Sequence, residues 1–420
     1  MTFRKIRETY LRFSFLRKGG LKSYVTTGGF DGVFLTLLII ILITGLVMMF
    51  SASYVYSWYN SPGNDPYFIF FKQLKFAIIG IVLMFIVSYI RFDVVEDFSV
   101  VLLILSIFML VYVLINPYVI PGKEDFKRWF SVPFIGTVQP SEIAKVALII
   151  YLAWSLSKRR LQVEKDNDRI PTVVHAFIIC LVCGLVYLEN HLSAVIIIFA
   201  IGIVMMFFGG TNARVFALGA AFLVIAVFVA LKTGVLKDYA GQRIDVWQKL
   251  LHNEQLTAQE EQGEGWQILQ SLYAIGSGGM FGMGFGNSKQ KHLYLPEPQN
   301  DFIFAIVCEE LGYIRAIIIM LLFLLLVLRG FYIALHHKNR FAQLLVLGIC
   351  FQLGLEAGLN IAVVTGTVPN TGIALPFFSS GGSALLTLLV EMGMVLSVSR
   401  TMDKKPKKVK EEVEAVNGNS

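Results

Sequence analysis

Residues 33–50 read VFLTLLIIILITGLVMMF. Eighteen residues pass without a charge. At 1.5 Å of rise per residue the run is about 27 Å long as a helix, close to the roughly 30 Å of a bilayer's hydrocarbon core. It is too long for the apolar centre of a cleavable signal peptide, and seven Lys/Arg lie in the 30 residues at the start of the chain. The run therefore reads as a retained first membrane span.

The rest of the chain repeats the pattern. Of 420 residues, 56% are hydrophobic and 15% charged, with a mean hydropathy of +0.67. A soluble chain averages about 25% charged. Ten apolar stretches can be drawn, at about 32–53, 68–90, 98–116, 138–157, 172–188, 191–208, 214–231, 301–328, 341–366 and 380–399. The expected fold is an all-α integral membrane protein of about ten transmembrane helices, with a large extracellular loop, 232–300, between spans seven and eight. Residues 1–30 form a basic segment suited to anionic lipid, 31–400 the polytopic domain and 401–420 a charged tail. With the N-terminus inside, inner segments carry 23 Lys/Arg and outer segments 9. Four more, Lys72, Lys75, Lys145 and Arg315, fall within spans. Positive charge is retained in the cytoplasm, so both termini are expected there. The net charge of +7 then orients the chain and does not point to nucleic acid. No internal repeat suggests a transporter of two related halves. Cys180, Cys183, Cys308 and Cys350 all lie in apolar runs. The Cys180-Leu-Val-Cys183 spacing has no zinc or thioredoxin context and reads as helix packing.

Four clusters fall at the expected outer face. The first is Lys123-Glu124-Asp125-Phe126-Lys127-Arg128-Trp129 followed by Gln139-Pro140-Ser141-Glu142-Ile143-Ala144-Lys145. Glu142 and Lys145, three apart, share a helix face. They form either a buried ion pair beside an interfacial anchor or, with Lys127 and Arg128, a site for an anionic headgroup such as a diphosphate. The second is a run of six glycines between Gly276 and Gly286. It lacks the Lys-Ser/Thr of a phosphate-binding P-loop and reads as an anion nest or a plain turn. The third is YLPEPQNDFIFAIVCEELG, residues 294–312, with Asp301, Glu309 and Glu310 at the mouth of an apolar helix. Asp301 caps that helix or serves as a base at a low-dielectric boundary. The fourth is the uncharged, Gly/Pro-broken stretch 364–383, a lipid or sugar path or a rigid turn.

Four motifs, RWF…QPSEIAK, AIGSGG…GFGNSKQK, YLPE…DFIFAIVCEELG and NIAVVTGTVPNTGIALPFFSSGGSALL, stand in this order from about residue 31 to 400. Together they resemble the SEDS glycosyltransferases, the peptidoglycan polymerases of bacterial division, elongation and sporulation. The FFSSGG ending is more like the division and sporulation branch. The resemblance implies a multi-pass enzyme of the bacterial plasma membrane that polymerises lipid II at the outer leaflet, with undecaprenyl diphosphate leaving. It implies Asp301 as the catalytic base. The substrate-binding set is Arg128, Trp129, Gln139, Ser141, Glu142, Lys145, Lys291, Glu297, Ser379 and Ser380. It also implies a class B penicillin-binding protein as transpeptidase partner, with other divisome or elongasome membrane proteins. A divalent cation, Mg or Mn, is associated with the family, although no metal-ligand cluster is visible in this sequence. The chain departs from the family pattern at Glu189-Asn190-His191, where Gln-Pro-Asp is usual, at Gln299-Asn300, where His-Thr is usual, and at Arg315, where a small residue is expected. A lipid II flippase and a non-catalytic scaffold that activates a transpeptidase are the competing readings. The 232–300 loop is expected to cap the Asp301 cavity, with the glycines at 276–286 as hinge.

Overall fold

The computed structural model describes residues 25–26, 28–118, 127–132, 136–160, 170–212, 216, 240–252, 254, 257 and 263–402. In chain order the elements are α1 (Gly32–Asn60), α2 (Phe68–Tyr89), the short α3 (Phe92–Asp97), α4 (Ser99–Ile115), a hairpin of β1 (Phe130–Val132) and β2 (Gly136–Val138), α5 (Pro140–Arg160), α6 (Ile170–Leu188), α7 (Leu192–Phe208), α8 (Ala240–Leu251), α9 (Glu264–Gly278), α10 (Ile303–Leu335), α11 (Arg340–Val364) and α12 (Gly382–Arg400). The chain is a mostly helical membrane protein. Nine of the ten expected spans fall on helices among the described residues. The stretch 214–231, the basic N-terminal segment and the charged tail lie almost wholly outside them. Among the described helices, α1, α2, α10, α11 and α12 are long and apolar enough to cross a bilayer.

The helices begin and end where local chemistry dictates. The Asp31 carboxylate accepts from Phe34 N at 2.8 Å and caps α1. The Asn339 side chain accepts from Phe341 N at 2.8 Å and caps α11. Pro140 opens α5, where its missing N–H costs nothing. α10 is broken at Gly312, which has φ 80° and ψ 173°.

Packing is close because small residues lie at the crossings. A Cβ on Gly80 would fall 2.4 Å from the Leu389 side chain, and one on Gly393 2.6 Å from the Met84 carbonyl, so α2 and α12 touch backbone to side chain at one glycine and backbone to backbone at the other. Cys350 lies buried beneath Gly330 in the same manner. At one end of the bundle Arg329 grips the cap residue Asp31 through Nε (3.0 Å) and Nη2 (2.6 Å). Burial raises the Asp31 pKa, but the Arg329 bonds and the Phe34 amide outweigh it and leave the carboxyl below its usual range. Arg400 closes the same end, donating to the Gly28 carbonyl at 2.9 Å and stacking 4.0 Å over Tyr89.

Candidate active site

At the other end, α2, α5, α7, α10 and α12 start and α11 finishes around one cavity of about 1100 Å3. Five helix N-termini bring unpaired N–H groups and positive partial charge to one place.

Asp301 lines this cavity, two residues ahead of α10. It does not cap the helix: Phe302 is the N-cap, with no side-chain cap bond. The segment is held from α11, where Asn360 Nδ2 donates to the Asp301 carbonyl at 2.7 Å and to the Ile373 carbonyl at 2.6 Å. Gly372, at φ +69°, lies so close that a Cβ there would sit 3.2 Å from Asp301 Oδ2. The stretch 364–383 is therefore the wall that positions Asp301. Ser379 Oγ donates to the Asn300 carbonyl (2.8 Å), Ser380 N to the Gln299 carbonyl (2.8 Å), and Gln73 of α2 binds Ser379 O and Gly381 N.

The β1–β2 hairpin, absent from the all-helical expectation, sets Arg128 and Trp129 beside Gln139. Phe130 pairs with Val138, so the residues flanking the strands emerge together. Arg128, Trp129, Gln139, Glu142, Lys145, Glu297, Ser379 and Ser380 all line the cavity with Asp301. Lys145 is 3% exposed, and its ammonium bridges Glu142 at 2.9 Å and Glu356 at 2.5 Å. The ion-pair reading and the cavity reading of this motif therefore coexist. Lys123, Glu124, Asp125 and Phe126 lie outside the described residues.

Ser141 and Lys291 are not among the lining residues. Ser141 is buried, with its hydroxyl 3.3 Å from His191 Nδ1. Lys291 is buried elsewhere, where its ammonium binds Glu310 (2.8 Å), Ser51 Oγ (3.0 Å) and the Gly286 carbonyl (2.6 Å). Glu309 and Glu310 are fully buried and serve the glycine run. Glu309 accepts from Ser288 Oγ (2.5 Å) and Lys289 N (3.0 Å), and Ser51 Oγ donates to Glu310 at 2.7 Å. The cradle for these carboxylates lies just past the glycine run, at the amides of Ser288, Lys289 and Gln290, and the anion it holds is the chain's own. The run is not built as a hinge. Met283 N and Gly284 N donate to the carbonyls of Glu309 and Glu310, and a Cβ on Gly278 would meet Cys308 O at 2.1 Å. Arg315 disturbs no packing. It is exposed and donates to the Phe281 (2.9 Å) and Leu311 (3.2 Å) carbonyls beside the Gly312 break.

The turn Glu189-Asn190-His191 packs against the hairpin. Arg128 donates to the Asn190 carbonyl, and Asn190 takes φ 57°. His191 Nδ1 lies 3.2 Å from Gln139 Nε2, and the ring lines the cavity. Burial pushes the Glu189 carboxyl up to about 8 against the pull of Arg128.

Sequence reasoning missed Gln73, His191, Arg243, Gln352, Glu356 and Glu391, which also line the cavity. For Glu356 and Glu391 the signal was present, since each is a lone carboxylate in an apolar run. Arg243, whose Nη1 donates to the Asn370 carbonyl at 3.2 Å, carried no such signal. It lies on α8, a part of the 232–300 segment that together with Gln267 of α9 reaches over the cavity.

Comparison with known proteins gives a consistent result. The family model of FtsW, RodA and SpoVE, described as cell cycle protein, matches residues 32–404. The "Probable peptidoglycan glycosyltransferase FtsW" of Trichlorobacter lovleyi is 37% identical over 376 residues, 88% of this chain and 93% of that protein. Stage V sporulation protein E of Bacillus subtilis is 36% identical, covering 88% and 97%. Among solved structures, a chain of a peptidoglycan synthase complex that coordinates polymerization and crosslinking superposes with a TM-score of 0.70 at 24% identity, covering 88% of this chain and 98% of that one. Thermus thermophilus RodA, a rod shape determining protein, superposes at 0.63 and 24% identity, covering 90% and 98%. The structural likenesses carry the fold.

Proposed function

The chain belongs to the FtsW, RodA and SpoVE family of cell cycle proteins, and from that premise we infer that it is a peptidoglycan glycosyltransferase of cell division or sporulation. The observation that carries the mechanism is Asp301, fixed by Asn360 and Gly372 on the wall of a cavity that also holds Arg128. A lipid-anchored sugar hydroxyl is the nucleophile. Asp301 accepts its proton as oxygen attacks the anomeric carbon of a second lipid II, and the bond to undecaprenyl diphosphate breaks. Arg128 and the converging helix N-termini stabilise the charge that develops on the leaving diphosphate. An inverting transfer of this kind needs one base and cationic help, not the two carboxylates of a glycosidase. Trp129, Gln139, Glu297, Ser379 and Ser380 supply contacts to the sugars. Lys145, held by two carboxylates, shapes the wall.

The Lys/Arg asymmetry supports cytoplasmic termini, ten spans and an outer-leaflet cavity. A class B penicillin-binding transpeptidase is the partner that fits, and the likeness to a complex joining polymerization with crosslinking supports it. The divalent cation brought by the resemblance finds no gathered ligands: among the described residues no group of three His, Cys, Asp or Glu side chains is placed to hold a metal. The polar lining ends at Glu391, and below it α12 turns buried apolar faces (Met392, Val395, Leu396). That favours an enzyme over a flippase, which needs a polar path through the whole thickness. Purified protein with labelled lipid II, with and without the transpeptidase, tests the reading. Polymer is expected from wild type and none from Asp301→Ala or Asp301→Asn. Wild-type rates from either variant would remove Asp301 as the base.

A further inference from the structure

His191 has two ring nitrogens with different surroundings. Nδ1 faces the protein, 3.2 Å from the Gln139 amide nitrogen and 3.3 Å from the Ser141 hydroxyl. An amide nitrogen has only hydrogens to offer, so Nδ1 accepts and the proton of a neutral ring sits on Nε2. Nε2 has no hydrogen-bond partner among the described residues. The ring is 8% exposed and lines the cavity that holds Asp301 and Arg128. Two side chains thus hold the ring from behind through Nδ1, and the ring's other nitrogen is left for a ligand in the cavity that His191 lines.

The surroundings select the ligand. Arg128 holds the turn that carries His191 by donating to the Asn190 carbonyl, and the positive charges of Arg128 and Lys145 both act on the ring. Lys145 is matched by Glu142 and Glu356, and Glu189 is on the same turn. Arg128 and a neutral N–H donor thus face one corner beside the N-terminus of α7, where His191 holds the N-cap position without a side-chain cap bond. That corner takes anionic oxygen.

We infer that His191 is a substrate-contacting residue whose Nε2–H donates to an oxygen of the lipid-linked diphosphate, with Gln139 and Ser141 as positioning residues that fix its tautomer. The inference rests on the glycosyltransferase reading and names the group of the substrate that this corner holds. It also gives Ser141 a role at one remove from the substrate, in place of direct binding.

Three variants separate this role from packing. In His191→Gln the side-chain amide reaches the Nε2 position with an N–H. In His191→Asn the amide stops at the Nδ1 position. His191→Ala has neither. The readouts are inhibition of lipid II polymerisation by undecaprenyl diphosphate, and direct binding of undecaprenyl diphosphate to the full chain in detergent. We expect His191→Ala and His191→Asn to weaken both by about ten- to a hundredfold, the range of a lost hydrogen bond to a charged group. His191→Gln stays within about threefold of wild type on the same scale. The ratio of wild type to His191→Gln stays flat from about pH 6 to 8, because a neutral donor does not titrate there. If wild type polymerises and His191→Ala binds undecaprenyl diphosphate as tightly, the inference falls alone. If His191→Asn matches His191→Gln, the ring only fills space and the inference falls. A wild-type limb near pH 6–7 that vanishes in His191→Gln assigns a titrating imidazolium and overturns the neutral donor. A wild-type chain that makes no polymer from lipid II removes the glycosyltransferase reading itself.

Discussion

Lys145 holds two carboxylates from two helices, Glu142 on its own α5 and Glu356 on α11. Removing the cation leaves the buried Glu356 and the half-buried Glu142 uncompensated, and breaking a buried pair typically costs about 3–5 kcal/mol. Lys145→Ala is therefore expected to lower the melting temperature in detergent as well as activity, and Glu356→Gln in the same chain should recover part of the loss. Normal stability with lost lipid II binding would instead make Lys145 a direct ligand. Gly372→Ala tests the wall beside Asp301. A left-handed φ of +69° and a contact of 3.2 Å to Oδ2 oppose the added methyl at about 1–2 kcal/mol, so turnover should fall severalfold with little change in melting. Glu189 gives a pH signature. Its carboxyl rises from 4.5 to about 8 on folding, with burial as the cause. The folded state then holds the proton more tightly, so this group's contribution to stability is present below about pH 4.5 and is lost as pH rises to about 8. Melts at stepped pH should show Glu189→Gln gaining on wild type across that window, by on the order of 1 kcal/mol or more at its upper end; parallel curves would refute the shift. At this scale Asp301 was legible because a carboxylate at the mouth of an apolar helix is costly. His191 was visible only as a departure from a pattern, because its role depends on Gln139 arriving 52 residues away in sequence.

The glycine run and the start of α10 form one unit. Their backbones pair across the Gly312 break, where Tyr313 N donates to the Gly279 carbonyl at 2.9 Å. Glu309, Glu310 and Lys291 are enclosed between them. A Cβ on Gly282 would lie 2.2 Å from the Glu310 carbonyl, at φ +81°. Gly282→Ala is therefore expected to abolish accumulation of folded protein, whereas Gly276→Ala, with open space around it, is expected to be silent. Limited proteolysis of membranes would show the difference; a tolerated Gly282→Ala would restore the hinge. The sequence displayed the glycines and the two acids separately. Backbone-to-backbone packing leaves no periodic signature, so their mutual pairing could not be read. α5, α10, α11 and α12 were legible because their apolar runs are long, and the β1–β2 hairpin was not, because three-residue strands carry too little pattern.

Across the whole molecule the cavity runs deep. Glu391 stands nine residues into α12, about 13 Å along the axis, so the polar lining ends near the middle of the helix. With the proposed ten spans and cytoplasmic termini, that cavity is expected to open outward. Introduced cysteines test this. One at position 254 is expected to react with an impermeant reagent from outside, and one at 165 is not. The reverse pattern would turn the molecule over and remove outer-leaflet chemistry. Sequence composition was enough for the membrane class, because a bilayer imposes one strict demand on helix length and polarity. The depth of the cavity was beyond it, since Gln352, Glu356 and Glu391 join the outer cluster only when α11 and α12 pack.

The exposed Arg315 has a consequence for the surrounding lipid. Fourteen residues further along α10 stands Arg329, about 21 Å away on the helix axis. Between them Ile318, Leu321, Leu325 and Leu328 face outward, and Tyr313 and Tyr332 flank the pair. An apolar belt of that height is shorter than a hydrocarbon core of about 30 Å. Both guanidinium groups are held by the protein, Arg329 by Asp31 and Arg315 by the Phe281 and Leu311 carbonyls, so the bilayer is expected to thin to close the gap. The protein thus carries its own preference for membrane thickness. Reconstituted into phosphatidylcholines of stepped chain length, it should polymerise fastest in the thinner bilayers. Arg315→Leu should move that optimum toward longer chains, and an optimum indifferent to the substitution would place the membrane boundary elsewhere on α10.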